Sequence, residues 1–314
     1  MALAIELSAV VVTVKDNEAL VLCRNLPRAS IAEPAYALPA GPFVPRKHRT
    51  FDLALRAFVR EQTGFDIGYV EQLYSFGDVG RETVLQGTSE TDHIISVGYL
   101  ALTANRDFQA HFDAAWVPFN RFFPWEDRRD GETNAAVTAL RPALEAWCRA
   151  DSSQVDLRRR RTETLFPEDF DNWNEERVLD RYELLYDAGL TGEGERSKGD
   201  TAPMAFSGEV MASDHRRIAA TGLARLRGKL KYRPVIFELM PERFTLLELQ
   251  KSLEALSGLR LHKQNFRRAL DRTGFVTPLG VMREDTGGRP AELYSYDHDQ
   301  FRFSPSLGLS LPRA

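Results

Sequence analysis

The chain has 314 residues, of which 43% are hydrophobic and 27% are charged, a composition typical of a globular protein with about two domains. No apolar run approaches the ~20 residues that a membrane span needs, and the first residues lack the basic segment of a signal peptide. The formal net charge of -4 excludes a chain that attracts nucleic acid over its whole surface, so any such site must be a local basic patch. Cys23 and Cys148 lie in apolar stretches, which predicts buried thiols and a location in the reducing cytoplasm.

The N-terminal part is predicted to be rich in β-strands, with one early helix. Residues 6–24 contain two apolar runs separated by the turn "KDNE", which is typical of a hairpin, and "YALPAGPFVP" predicts a short third strand. Thr50 is placed to cap a helix that ends at Gly64. The apolar residues of this helix recur every three or four positions and predict one buried face: Phe51, Ala54, Leu55, Phe58 and Val59. "YVEQLYSFG" and "HIISVGYLALT" predict two further strands, joined by a polar loop over 78–92.

The middle of the chain is predicted to be helical. Residues 135–148 have a helical pattern, and the acidic segment 163–187 contains enough tryptophan, tyrosine and leucine to predict a packed helix. The four arginines at 158–161 are interpreted as paired with these acidic residues. The Gly-rich stretch over 191–203 is the best linker candidate, and a further helix is predicted over 213–230.

The C-terminal part has the sharpest local signals. Thr245 and Glu248 form a capping box in front of an apolar stripe of leucines, and Gly258 ends that helix. A second helix is predicted to pack through Phe266 and Leu270 and to expose a basic face. The segments "FVTPLGVM" and "AELYSY", joined by a Gly-rich turn, predict a β-hairpin. Helix, short turn, basic helix and hairpin is the order of a winged helix-turn-helix.

Several long stretches resemble the Nudix-related transcriptional regulators of NAD biosynthesis. They are "YVEQLYSFGD", "ISVGYLAL", "SDHRRIAATGLARLRGKLKYRPVIFELMPERFTLLELQ", "NFRRALDRTGFV" and "GGRPAELYSY". The resemblance implies an α+β fold, in which a Nudix-like mixed β-sheet/α sandwich precedes a winged helix-turn-helix domain. Residues 1–120 would form the ligand-sensing domain, 121–208 a helical insertion and linker, and 209–314 the connecting helix and DNA-binding domain.

The same resemblance implies a function in transcription. We expect a homodimer that binds a double-stranded DNA operator and represses genes of NAD metabolism. The expected effector is ADP-ribose or a related NAD metabolite, with no cofactor required and no membrane contact.

The chain departs from the family pattern in the helix that would carry catalysis. A Nudix hydrolase has R-E-x-x-E-E-x-G here, with glutamates that hold a metal ion, but Ala57, Phe58 and Gln62 replace the arginine and two of the glutamates. Glu61 alone remains. Hydrolysis of a pyrophosphate needs several carboxylates around divalent metal ions, so we expect no catalytic residues, no metal site and no enzymatic activity.

The same helix can still form one wall of a ligand pocket. Basic residues repel a metal ion but attract a phosphate. The candidate ligand-binding residues are Arg24, Arg56, Arg60, Glu61 and Arg81. The alternative for the helix residues is a solvated face held by i,i+4 ion pairs. Tyr74 and Trp116 are candidates for stacking on an adenine, whereas Phe76 is expected in the core.

The second helix of the C-terminal domain is the candidate DNA reader. Its exposed side chains suit phosphate contacts and base edges, and the hairpin that follows adds a basic residue at its turn. The candidate DNA-binding residues are Lys263, Gln264, Asn265, Arg267, Arg268 and Arg289. The alternative is a basic helix face that is merely solvated. Two other functions remain open: a divergent ADP-ribose pyrophosphatase, and a nucleotide-binding adaptor whose winged helix binds protein.

Overall fold

A computed structural model describes residues 3–27, 33–78, 93–104, 113–131, 134–193, 206–284 and 290–296. The predicted loop over 78–92 and the predicted linker over 191–203 lie mostly outside these ranges. The elements of the N-terminal domain are β1 (Leu3–Lys15), β2 (Glu18–Asn25), β3 (Tyr36–Ala37), β4 (Ala40–Pro42), α1 (Phe51–Thr63), β5 (Tyr69–Phe76), β6 (His93–Leu102), β7 (Ala114–Pro118) and α2 (Phe119–Phe122).

A mixed sheet forms the centre of this domain. Its strands follow the order β3-β2-β1-β6-β5, while β4 pairs with β1 and β7 pairs with β2. The predicted hairpin is confirmed: β1 and β2 are antiparallel, and Asp16 and Asn17 take positive φ angles of 50° and 63° in the tight turn between them. The long parallel pairing of β1 with β6, from Leu3↔His93 to Val12↔Leu102, was not predicted.

Helix α1 covers one face of the sheet. The Thr50 side chain accepts from the Leu53 N–H, and Gly64 ends the helix with a left-handed φ of 74°, as predicted. Its buried residues Ala54, Leu55 and Val59 pack on the β1 residues Leu7, Ala9 and Val11. The predicted apolar face is therefore the one that the helix buries.

The elements after the sheet domain are mainly helical. They are α3 (Ala135–Arg149), α4 (Val155–Leu165), α5 (Val178–Asp187), the connecting helix α6 (His215–Tyr232), β8 (Phe244–Thr245), α7 (Leu246–Ser257), α8 (Lys263–Thr273), β9 (Val276–Arg283) and β10 (Ala291–Tyr296). Short 3-10 helices lie at Phe170–Asn172 and Val235–Leu239. Within the part of the chain that the structure describes, no helix is both long and apolar enough to cross a membrane.

The second face of the sheet packs against one continuous core that includes the insertion and the winged helix. Val10 of β1, Trp173 and Tyr182 of the insertion, and Leu253 and Phe266 of the C-terminal domain all belong to it. The predicted packing of the insertion is confirmed by five of its aromatic residues. Trp173 and Tyr182 are buried, and Trp147, Phe170 and Tyr186 are partly buried against the core. Cys23 and Cys148 are free, buried thiols, as predicted.

Two expectations for the insertion were wrong in detail. The acidic segment forms the end of α4 and then α5, separated by a loop that contains Pro167, instead of one helix. Of the four consecutive arginines, Arg158 contacts Asp151 at 3.7 Å and Arg161 contacts Asp187 at 2.6 Å. Arg159 and Arg160 are exposed and form no ion pair with another described residue. Consecutive positions on a helix point in different directions, so one acidic neighbourhood cannot reach all four.

A buried charge cluster joins the sheet domain, the insertion and the winged helix. Glu126 follows α2, and its carboxylate receives Nε and Nη2 of Arg181 from α5 at 2.6 and 2.9 Å. Nη1 of Arg227 from α6 reaches the same carboxylate at 2.5 Å, and Nε of Arg227 donates to the Leu256 carbonyl of α7 at 2.8 Å. All three charged side chains are almost completely buried. Burial alone would raise the pKa of Glu126, but the charges of Arg181 and Arg227 outweigh it and hold that pKa below its usual value.

The C-terminal elements form the predicted winged helix. The Thr245 hydroxyl accepts from the Glu248 N–H at 3.2 Å, and the Glu248 carboxylate accepts from the Thr245 N–H at 2.7 Å, which completes the capping box. Helix α8 follows α7 after a short turn, and β8, β10 and β9 form a three-stranded sheet. Gly258 ends α7 with φ 72°, and a Cβ at that position would overlap the Glu126 carbonyl.

The cluster predicts a large loss of stability when its carboxylate is neutralised. Glu126→Gln leaves two buried guanidinium groups without a counter-charge, so we expect the free energy of unfolding to fall by about 3–5 kcal/mol. Urea unfolding followed by circular dichroism measures this loss. Asp130→Asn is the matched control, because Asp130 and its partner Arg260 are exposed and 3.4 Å apart, and it should change stability by less than about 1 kcal/mol. Equal effects of the two variants would contradict a special role for Glu126.

Candidate functional site

Gln62 occupies a position at which a Nudix hydrolase has a metal-binding glutamate, and here it holds the helix to the sheet. Its Oε1 accepts from the Ala40 N–H at 3.0 Å, and its Nε2 donates to the Ala40 carbonyl at 2.6 Å. A glutamate cannot make both bonds, because an ionised carboxylate has no proton to donate. The amide therefore belongs to the join between α1 and β4.

Phe58 fills a second position of the lost carboxylates with an apolar ring. The ring lies so close to Gly41 that a Cβ there would be 2.8 Å from two of its atoms. It also packs edge-on against His48, with ring centroids 5.2 Å apart. Aromatic side chains therefore pack around this part of α1, at a position where a Nudix hydrolase has a metal-binding carboxylate. Among the described residues, no group of three or more His, Cys, Asp and Glu side chains is placed to hold a metal ion.

The charged residues of α1 face in different directions. Arg56 pairs with Asp52 at 3.0 Å and donates to the carbonyls of Ile67 and Gly68. Arg60 is exposed and lies 3.7 Å from Asp66, and Glu61 is exposed. The contacts of Arg56 match the alternative in which this face is held by local ion pairs, whereas Arg60 and Glu61 stay accessible to a ligand.

Arg24 and Trp116 lie together on the side of the sheet that α1 covers. In the antiparallel pair of β2 and β7, Leu22 is opposite Trp116 and Arg24 is opposite Ala114, so the two candidates are diagonal neighbours on one face. Trp116 packs edge-on against Phe65 with centroids 5.4 Å apart. Arg81 lies outside the described residues.

The other two candidate aromatics do not join this group. Tyr74 is on β5, separated from β2 by β1 and β6, and its ring faces Arg225 of α6. Phe76 is buried in the core, as predicted. The stacking candidate that remains beside Arg24 is Trp116.

A buried hydrogen bond that the sequence did not indicate connects the sheet domain to the connecting helix. Nδ1 of His215, at the start of α6, accepts from the Leu38 N–H at 3.1 Å, so Nε2 carries the proton of the neutral ring. Nε2 lies 4.0 Å from the buried carboxylate of Glu6 on β1, which also accepts from the Ser96 hydroxyl. Burial, with the positive charge of Arg24, lowers the pKa of His215 to about 4, so the ring is neutral at pH 7. A histidine inside a helical pattern gives no local signal of such a partner.

The second candidate site is the outer face of α8. Phe266 and Leu270 are buried and fix the rotation of this helix on the domain. Five of the predicted DNA-binding side chains are consequently exposed: Lys263, Gln264, Asn265, Arg267 and Arg268. None of the five forms a hydrogen bond or ion pair with another described residue. Arg289, the sixth, lies outside the described residues.

A Nudix-like sandwich followed by a winged helix defines the class of fold, and comparisons with known proteins agree. The family model of the NrtR DNA-binding winged helix domain matches residues 236–296. A curated relative, the "ADPR responsive transcriptional repressor NtrR" of Acinetobacter baylyi, is 35% identical over 103 residues, which are 33% of this chain and 41% of the relative. The chain thus aligns with less than half of that relative's length.

Solved structures with the same fold include an NrtR from Shewanella oneidensis in complex with a 27mer DNA. It has a TM-score of 0.55 and 19% identity, and the match covers 95% of both chains. A MutT/nudix family protein from Enterococcus faecalis has a TM-score of 0.52 and 16% identity, over 95% of this chain and 87% of that one. The predicted α+β fold and the resemblance to Nudix-related regulators are confirmed, and residues 236–296 match the winged helix domain of NrtR.

The bonds of Gln62 predict the result of restoring a family carboxylate. Gln62→Glu places a charged oxygen against the Ala40 carbonyl, so we expect the free energy of unfolding at pH 7 to fall by about 1–2 kcal/mol. Glu61→Gln, on the exposed neighbouring position, is the control and should stay within about 0.5 kcal/mol of the parent. Urea unfolding of both variants makes the comparison. A Gln62→Glu protein as stable as the parent would show that the two amide bonds contribute nothing.

Proposed function

We propose that the chain is a DNA-binding transcriptional regulator whose Nudix-like domain senses a nucleotide without hydrolysing it. The observation that carries the proposal is the outer face of α8, in a segment that matches the NrtR winged helix domain, where basic and amide side chains are exposed and form no hydrogen bond or ion pair with the residues that the structure describes. The alternative, a basic helix face that only contacts solvent, does not account for the β-hairpin wing beside it. In this fold the second helix lies in the major groove of DNA, and its exposed side chains reach bases and phosphates.

The helical geometry of α8 allows some of its residues to contact bases and others to contact phosphates. Arg267 and Arg268 are adjacent and so point about 100° apart, which lets one face the groove floor while the other reaches a phosphate. Lys263 lies one turn before Arg267 on the same side of the helix. Gln264 and Asn265 have the amide groups that pair with adenine edges. Arg289, in the turn between β9 and β10, would add a contact to the backbone or the minor groove.

The effector is proposed to be ADP-ribose or a related NAD metabolite, and the targets to be NAD-metabolism genes under repression. The support is the ADPR-responsive repressor that aligns with a third of this chain, together with Arg24 and Trp116 beside the α1 face. A sensor gains from the loss of catalysis, because a ligand that is not consumed reports its own concentration. A protein of this kind would act in the cytoplasm as a homodimer on a palindromic operator.

Ligand binding would shift the population between states with different spacings of the two DNA-binding heads. The hydrogen bond from the Leu38 N–H to His215 joins the segment between β3 and β4 to α6, and Arg227 of α6 joins Glu126 to the end of α7. These contacts run from the sensor sheet to the helix in front of α8. They provide a continuous route of buried contacts for the coupling.

The proposed reader predicts the loss of DNA binding in one double variant. Arg267→Ala plus Arg268→Ala removes a base contact and a phosphate contact, so operator affinity should fall by at least roughly tenfold, and the dependence on salt should weaken by about one unit of slope. Fluorescence anisotropy against the chain's own upstream region and NAD-gene promoters, at two salt concentrations, measures both.

The matched control is Arg159→Ala plus Arg160→Ala. It removes the same charge from an adjacent, exposed arginine pair on α4 and should leave operator affinity within about twofold of the parent. The thermal unfolding of both double variants should match that of the parent. If the α8 variant binds as tightly as the parent, α8 does not read DNA.

The sensor domain predicts binding without turnover. Titration calorimetry with ADP-ribose should show binding, and incubation with ADP-ribose and Mg²⁺ or Mn²⁺ should release no AMP beyond the uncatalysed rate. The reason is that Phe58 and Gln62 leave too few carboxylates to hold the metal ions. Repeated turnovers that Glu61→Gln abolishes would instead show a divergent ADP-ribose pyrophosphatase.

A further inference from the structure

Two side chains of α7 hold Leu261 in the turn before α8. Oε1 of Glu254 accepts from the Leu261 N–H at 3.0 Å, and Nε2 of Gln250 donates to the Leu261 carbonyl at 3.0 Å. The same Nε2 donates to Oε1 of Glu254 at 3.0 Å, since the two residues lie one helical turn apart. Both backbone groups of Leu261 are therefore bound by side chains, and these three hydrogen bonds form the Leu261 anchor.

The anchor is buried and lies directly before α8. Leu261 is 5% exposed and Gln250 is 9% exposed. His262, the N-cap of α8, makes no capping hydrogen bond with its side chain. Phe266 and Leu270 fix the rotation of α8, but apolar contacts have little directional preference. Hydrogen bonds weaken steeply when their angles change, so the anchor is the contact that can define the tilt of α8.

A small tilt at the start of α8 becomes a large displacement further along the helix. Arg268 is seven residues after Leu261, so the two Cα atoms lie about 10 Å apart along the helix axis. A tilt of about 10° at Leu261 moves the Arg268 Cα by about 2 Å, more than the roughly 0.5 Å range of normal hydrogen-bond lengths. Such a displacement breaks a hydrogen bond to a base edge. A long, flexible arginine can still reach a phosphate.

We propose that Gln250 and Glu254 are positioning residues for DNA recognition, because they hold Leu261 and so set the tilt at which α8 meets the base edges. The inference rests on the proposed function of α8 and adds two residues that act on it through the turn. A buried polar network with all its bonds made specifies one arrangement more strictly than apolar packing does. Loss of the anchor should therefore lower the preference for the operator more than the general affinity for DNA, which comes from phosphate contacts.

The test compares Glu254→Ala with the conservative Glu254→Gln. Anisotropy titrations of the full chain with its own upstream region and with a duplex of unrelated sequence give the operator preference, which is the ratio of the two affinities. Glu254→Ala leaves the Leu261 N–H without its acceptor, so the preference should fall at least roughly tenfold, while the affinity for unrelated DNA stays within about threefold of the parent. Glu254→Gln keeps Oε1 as an acceptor, so its preference should stay within about threefold of the parent.

A second variant removes the other half of the anchor. Gln250→Leu keeps the approximate size of the side chain but loses both donors, so it should lower the preference as Glu254→Ala does. Thr245→Ala is the matched control: it removes the cap at the other end of α7, leaves the anchor intact and should change the preference by less than about twofold. Thermal unfolding shows that each variant is folded at the temperature of the titrations.

Three results would overturn the inference. If both anchor variants keep the operator preference of the parent, the anchor does not position α8, and the proposed function is unaffected. An equal loss in Thr245→Ala would show that the stability of α7 sets the preference. A parent that does not prefer its upstream region or an NAD-gene promoter over unrelated DNA would overturn the proposed function as well.

Discussion

The carboxylate of Glu126 is shared by Arg181 and Arg227, and the arrangement of the whole molecule depends on this cluster. Each of the three groups alone would be too costly to bury, since transferring an ion from water into the protein interior costs several kcal/mol. They are therefore buried together or not at all. Because they come from the segment after the sheet, from the insertion and from the connecting helix, the sharing of one carboxylate fixes these three parts relative to one another.

The winged helix is held to the same cluster by backbone contacts. Arg227 donates to the Leu256 carbonyl, and the Gly258 carbonyl accepts from the Arg128 N–H at 2.7 Å. Position 258 favours glycine for two reasons: its backbone φ is left-handed, and the Glu126 carbonyl leaves no space for a Cβ atom. The turn in front of α8 is thus fixed by residues of the segment that follows the sheet. A shift at Glu126 would reach α8 through α7 and two hydrogen bonds.

Helix α1 of the Nudix-like domain is held to the sheet by two residues at positions where a Nudix hydrolase has glutamates. Gln62 uses both its donor and its acceptor on Ala40, and Phe58 packs over Gly41, so both residues stabilise the contact of α1 with the sheet. A glutamate at either position would lose these contacts. The insertion also stabilises the fold. Its Arg181 makes two hydrogen bonds to Glu126, and its guanidinium carbon lies 3.9 Å from the centre of the Trp173 ring.

The sequence by itself determined the elements whose signals are local. The capping box at Thr245, the apolar face of α1 and the tight turn at Asp16–Asn17 depend on residues a few positions apart, and each was predicted. The buried residues Phe266 and Leu270 of α8 follow from helical spacing in the same way, so the exposed basic face of this helix could be predicted too.

Only the tertiary structure decided the contacts between residues that are far apart in the chain. β1 pairs with β6 across 90 residues, and Glu126 meets Arg181 and Arg227 across 55 and 101. A charged residue has the same identity whether it is solvated, like Arg160, or buried, like Arg227. The difference lies in what the fold places beside it, because the free energy of a charge depends on its surroundings more than on its own chain neighbours.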